Sequence, residues 1–168
     1  MKTTIKTLLL ATMLTTGLSG CKASSEAPTE QAYQTYVQTG DSFKHLNLTD
    51  INNNAIAFDA DHKKLVILFA TWCSDSQRLL KELKQSPLLN QPDLTVIAIG
   101  REEDSATLKQ FNDTMALPIH FVADPNRAIY STYANKGIPR LILLDEQNKV
   151  RQTLIGEQPN TLSNLHWN

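Results

Sequence analysis

The hydrophobic pattern alternates between short apolar runs and amphipathic stretches. After the polar run 59–64, residues 65–70 (LVILFA) form a continuous apolar segment, the signature of a strand covered on both faces. Residues 74–85 place Leu79, Leu80 and Leu83 at helical spacing, and Pro87 stops that helix. Residues 94–100 (LTVIAIG) predict a second buried strand, and 103–115 a helix with Leu108, Phe111 and Met115 on one stripe. A third strand over 119–123 precedes a short helix over 126–133, with Ile129, Tyr130 and Tyr133 inward. Strands over 141–144 and 150–155 flank a hairpin-type turn at 145–149, where Asn148 suits the left-handed conformation. Residues 161–167 predict a last half-buried helix. The order βαβαβαββα implies an α/β fold: parallel βαβ units feed a terminal hairpin in a mixed sheet with helices on both faces.

The N-terminus has a different character. Residues 1–6 (MKTTIK) carry two lysines and no acid, and 7–21 carry no charge, with Leu8, Leu9, Leu10, Met13 and Leu14 forming a short apolar run. Such a run is too short to cross a bilayer, which needs about 20 apolar residues, and reads as a secretory signal. Leu18-Ser19-Gly20-Cys21 resembles the bacterial lipoprotein box. That resemblance implies cleavage before Cys21, diacylglycerol on its sulfur and a fatty acyl group such as palmitate on its amine; an ordinary cleaved signal would leave Cys21 incidental. Lys22, rather than Asp, follows the cysteine, which in enterobacterial lipoproteins favours the outer membrane. The reading divides the chain into a signal peptide (1–20), a lipidated cysteine with a flexible Ser/Thr/Ala/Gln-rich tether (21–39), and a globular domain (40–168). Within the tether, Tyr33, Tyr36 and Val37 have the spacing of a short helix.

Composition narrows the function. With 168 residues, 41% hydrophobic and 20% charged, the chain suits one domain with a core. A net charge of -1 supplies no basic field for a nucleic-acid partner. Two cysteines are too few for a disulfide scaffold or a cysteine zinc site. His45, His62, His120 and His166 lack ligand spacing, and no glycine-rich phosphate loop stands out, so no metal or cofactor is expected.

Position gives the second cysteine its interest. Cys73 lies where the strand 65–70 hands over to a helix, at the carboxyl end of a strand. A helix N-terminus stabilises an anion and lowers a thiol's pKa, and the thiolate is the nucleophilic form. A lone cysteine is equally well explained as a buried inert thiol.

Residues 66–73 (VILFATWC) are similar to the strand and active-site turn of the thioredoxin superfamily, specifically its extracytoplasmic TlpA/ResA-like thiol–disulfide oxidoreductases. Residues 40–43 (GDSF) resemble that family's opening segment. Residues 96–101 and Asp124-Pro125 resemble its inserted strand–helix unit, and 136–140 (KGIPR) the loop holding its cis-proline. The resemblance runs from Gly40 to Trp167. It implies a cis Pro139 beside Cys73, with the peptide groups around Ile138 pairing with an extended substrate.

The departures are as informative. The family motif is Cys-x-x-Cys, but the fourth position here is Ser76. Thiol–disulfide exchange passes through a mixed disulfide that a second thiol resolves, and the mature domain holds only Cys73. Ser76 is placed either to donate a hydrogen bond to the thiolate or to cap the helix. The buried Asp that thioredoxins carry six residues before the nucleophile is replaced by Ile67. Arg101 and Arg140, at strand ends, are candidates to favour the thiolate. The Pro and Thr that precede a peroxidatic cysteine are replaced by Val66 and Ala70, against a peroxidase.

The expectation is therefore a lipid-anchored, periplasm-facing thioredoxin-like protein of the bacterial envelope. Cys73, with Trp72, Ser76 and Pro139, would form mixed disulfides with exported proteins or small disulfides, and a separate thiol donor would resolve them. The alternative is a redox-inactive lipoprotein that binds peptides at the Pro139 groove.

Overall fold

The computed structural model describes residues 32–167, so the signal segment and Cys21 lie outside the described residues. Five strands form one sheet: β1 (Lys63–Phe69), β2 (Leu94–Arg101), β3 (His120–Asp124), β4 (Arg140–Leu144) and β5 (Val150–Ile155). Their order is β3-β2-β1-β4-β5. The three N-terminal strands are parallel, while β4 runs antiparallel to β1, and β5 to β4. The crossovers are α1 (Ser74–Gln85) between β1 and β2, and α2 (Ser105–Met115) between β2 and β3. This is the mixed α/β sheet that the hydrophobic runs predict.

Alternation along β1 divides the core into two layers. Leu65, Ile67 and Phe69 pack with Leu79, Leu80 and Leu83 of α1 and Leu108 of α2. Val66 and Leu68 face the other way, toward Phe43, Tyr130, Tyr133 and Val37. All three α1 leucines are fully buried, each contributing roughly 1.5–3 kcal/mol relative to exposure, so α1 and the turn before it are firmly seated on the sheet.

Several elements differ from the sequence expectation for identifiable reasons. β1 starts two residues early and includes Lys64, which is fully buried with Nζ donating to the carbonyls of Asp59 and Glu146. The helix expected over 126–133 shrinks to α3 (Tyr130–Tyr133). Arg127 has φ +60, and the buried Asp124 carboxylate takes the N–H groups of Ile129 and Tyr130, so a turn occupies the start of that segment. The expected C-terminal helix is a 3-10 turn, Thr161–Asn164, entered through Asn160 at φ +60.

Residues 32–39, assigned to the tether by composition, pack on the domain. Thr35 bridges Ala134, the Tyr36 N–H donates to the Tyr133 carbonyl, and Val37 is buried; no helix forms there. The hairpin turn holds Asn148 at φ +61, as its residue type predicts. Among the described residues no helix is long and apolar enough to cross a membrane.

Candidate active site

Antiparallel pairing assembles the site. Leu68, near the end of β1, pairs with Arg140 at the start of β4, so the segment entering β4 lies beside the turn leaving β1. The first segment carries Pro139 and the second Cys73.

The turn is tight. The Cys73 N–H donates to the Ala70 carbonyl at 3.2 Å, and the Cys73 carbonyl accepts from the Gln77 N–H at 3.0 Å, opening α1. Cys73 is the N-cap residue, in extended conformation, and its sulfur makes no capping bond to the helix N–H groups. The half-buried thiol donates instead to the Ile138 carbonyl, with Sγ 3.6 Å from the oxygen. Trp72 beside it is 65% exposed. The thiol thus sits at the positive end of α1, reachable from solvent, next to an exposed indole.

The Ile138–Pro139 peptide bond is cis, matching what the family resemblance implies. Gly137 enters it at φ +85, with the Tyr33 ring where a Cβ would be crowded at 3.3 Å. On the other side the Gly156 N–H donates to the Pro139 carbonyl at 2.8 Å, and the Gly156 carbonyl accepts from Arg78 Nη2 of α1 at 2.8 Å. A Cβ on Gly156 would stand 2.8 Å from Pro139 Cγ, so only glycine allows this approach. α1, the end of β5 and the proline loop are therefore linked by consecutive hydrogen bonds.

Ser76 is fully buried one turn into α1. Its Oγ accepts from the Ala70 N–H at 3.5 Å, so the hydroxyl serves the end of β1 rather than the thiol. The two arginines are likewise committed elsewhere. Arg101 pairs with Glu102 at 2.9 Å and lies over the Tyr130 ring. Arg140, only 3% exposed, donates to the carbonyls of Lys136 and Gly137 and to Thr35 Oγ1. Their hydrogen bonds hold the loop and the N-terminal segment.

Sequence reasoning missed Glu103. The sequence pattern places it first in a helix, but α2 begins at Ser105 with Asp104 as its cap, leaving Glu103 buried against the Cys73 turn. No local pattern marks it, since its burial follows from Glu102 turning back at φ +62. Among the described residues no group of three or more His, Cys, Asp or Glu side chains gathers to hold a metal. The site brings one thiol beside a cis-proline loop.

The sequence model of the Redoxin family matches residues 38–166. The chain belongs to the redoxin family. This redoxin is 25% identical over 125 residues to the thiol-disulfide oxidoreductase ResA of Bacillus anthracis, covering 73% of its own length and 72% of the relative's. Its fold is that of a Bacteroides thetaiotaomicron protein proposed to be a protein disulfide isomerase, with TM-score 0.72, 17% identity and coverage of 80% and 89%. It also superposes on a secreted disulfide oxidoreductase of Mycobacterium tuberculosis, with TM-score 0.55, 15% identity and coverage of 68% and 84%. The redoxin is thus a thioredoxin-fold protein of the TlpA/ResA-like type, resembling thiol–disulfide oxidoreductases.

Proposed function

We propose that this redoxin is a lipid-anchored envelope protein in which Cys73 acts alone on disulfides. The observation that carries the reading is the pairing of a solvent-reachable Cys73 at the start of α1 with a buried serine three residues on. The Cys73 thiolate attacks one sulfur of a substrate disulfide; a Cys73–substrate disulfide forms, and the other sulfur leaves as a thiolate that takes up a proton. With no second thiol in the domain, resolution comes from outside it. A neighbouring thiolate of the substrate attacks its own mixed-disulfide sulfur, giving isomerisation without net oxidation. Alternatively a separate thiolate attacks Sγ of Cys73, so that the substrate leaves with both sulfurs as thiols and Cys73 is left in a disulfide with that thiol; a second equivalent of the thiol attacks the outer sulfur, freeing Cys73 and pairing the two donor sulfurs in a disulfide.

Trapping of Cys73 in cells tests this reading. With thiols blocked at lysis, Cys73 is expected to be recovered in mixed disulfides that Cys73→Ala abolishes. Nothing trapped on Cys73 would favour the peptide-binding alternative.

The anchor rests on the Leu18–Cys21 box and the charge pattern before it. The likeness to a secreted oxidoreductase supports an extracytoplasmic location, and Lys22 an outer-membrane one. Two or more acyl chains hold a protein stably where one gives marginal binding. Cys21→Ser is expected to abolish incorporation of labelled palmitate and release the protein from the membrane fraction. Retained label would remove the anchor from the proposal.

A further inference from the structure

The peptide that leads into Trp72 and Cys73 is gripped from two sides. Thr71 donates its N–H at 2.7 Å and its hydroxyl at 2.5 Å to the same oxygen, Oε1 of Glu103. Its carbonyl accepts from Gln77 Nε2 of α1 at 2.6 Å. Every strong polar group of Thr71 is therefore answered by a side chain from another part of the site, and Cys73 follows two residues later.

The structure goes to some trouble to deliver this carboxylate. Glu102 adopts φ +62, and the Glu103 N–H returns to the Gly100 carbonyl at 3.3 Å, turning the side chain inward after β2 ends. Gly100 makes the room, because a Cβ there would lie 2.9 Å from Glu103 Oε2 and 2.6 Å from Leu108 Cδ2. Glu103 is 5% exposed, and Oε2 is buried without a hydrogen-bond partner. A buried unpartnered oxygen is costly. A group required only for local stability would gain by being smaller or neutral.

We propose that Glu103 is a positioning residue for Cys73: through Thr71 it fixes the turn so that Sγ stays in line for attack beside the Ile138 carbonyl. The inference rests on the reading of Cys73 as a nucleophile. Attack on a disulfide needs the thiolate aligned with the sulfur–sulfur bond, and small misplacements of a reacting atom cost large factors in rate. A small alkylating agent reaches the thiol from many directions and is insensitive to that alignment. The ratio of the two rates therefore reads position, whereas general loosening of the fold would raise both by exposing the thiol.

The experiment measures, on the folded protein at one pH, the rate of mixed-disulfide formation with oxidised glutathione and the rate of alkylation by iodoacetamide. Glu103→Ala is expected to lower the ratio of the first to the second by about tenfold or more. Glu103→Gln, which keeps an oxygen acceptor for both Thr71 donors, is expected to restore it to within about threefold of the wild type. Thr71→Val, which deletes only the hydroxyl donor, should lower the ratio about twofold to fivefold, and it decides the matter if the alanine variant does not fold. A wild-type ratio in Glu103→Ala, or in Thr71→Val where it must stand in, overturns the positioning role while the proposed function stands. A loss in Glu103→Gln as deep as in Glu103→Ala overturns it as well, because the oxygen acceptor would then not be what matters. If wild-type Cys73 forms no mixed disulfide at all, both the inference and the function reading fall.

Discussion

Replacing Ser76 with cysteine is expected to convert the protein into a dithiol that reduces insulin disulfides with turnover, raising the rate over the wild type by at least tenfold with dithiothreitol as reductant. Ser76 is fully buried one turn beyond Cys73, and its hydroxyl makes only a long bond to the Ala70 N–H, so exchanging oxygen for sulfur sacrifices little. Residues three apart in a helical turn have Cα atoms about 5 Å apart, inside the range a disulfide spans. In the wild type, a mixed disulfide on Cys73 waits for a thiol from solution. In the variant, the resolving thiol is tethered, and intramolecular reaction of aligned groups carries a very large effective concentration. It attacks the Cys73 sulfur, an intramolecular disulfide forms, and the substrate thiol leaves reduced. Counting free thiols after oxidation checks the geometry independently of turnover. A folded variant that retains two free thiols under oxidising conditions would show that position 76 does not come within disulfide reach of Cys73.

What could be read in advance follows from how each feature is encoded. β1, β2 and β4 are covered on both faces, so their apolar runs are unbroken and visible. The Trp72-Cys73 turn and the Gly137-Ile138-Pro139 loop are local strings, and antiparallel pairing of β4 with β1 brings them together. Other features depend on contacts that leave no mark along the chain. Residues 32–39 join the domain largely through backbone hydrogen bonds to 133–135, which any polar sequence can make, so their composition suggested a tether. Lys64 reads as part of a polar turn, but its aliphatic stem is buried in β1 while its ammonium finds backbone carbonyls. Glu103 is charged and next to two other acids, which suggests a solvated helix start; only the reversal at Glu102 and the space at Gly100 turn it inward. Position 67, where the buried Asp is absent, lies in β1, while the carboxylate that touches the turn comes from the segment after β2.

Arg140→Ala is expected to cause the largest loss of stability among substitutions at the site. The sequence offered Arg140 as a stabiliser of the thiolate, and a guanidinium in that role would stand partly in solvent with its donors free for an anion. The observed side chain is buried, and its donors are in use. Nε reaches the carbonyls of Lys136 and Gly137 at 3.0 and 3.3 Å, Nη2 reaches the Lys136 carbonyl at 2.5 Å, and Nη1 reaches Thr35 Oγ1 at 2.6 Å. One planar fork thus ties the cis-proline loop to the N-terminal segment, with the Tyr33 ring against its face. Truncation removes these bonds and takes both guanidinium donors from the half-buried Lys136 carbonyl, while the Gly137 carbonyl keeps the Tyr130 hydroxyl. With hydrogen bonds to a charged group contributing roughly 1.5–3 kcal/mol each, the loss should be about 3 kcal/mol or more. For a domain of this size, that corresponds to a fall in Tm of about 10 °C. Arg140→Lys should recover less than half of it, because an ammonium cannot reproduce the planar fork. Limited proteolysis should cut first in the segment 32–39, which the arginine holds. The opposite pattern, an unchanged Tm with slower alkylation of Cys73 at a fixed pH, would return Arg140 to the role of a charge acting on the thiolate and remove it from the framework of the loop.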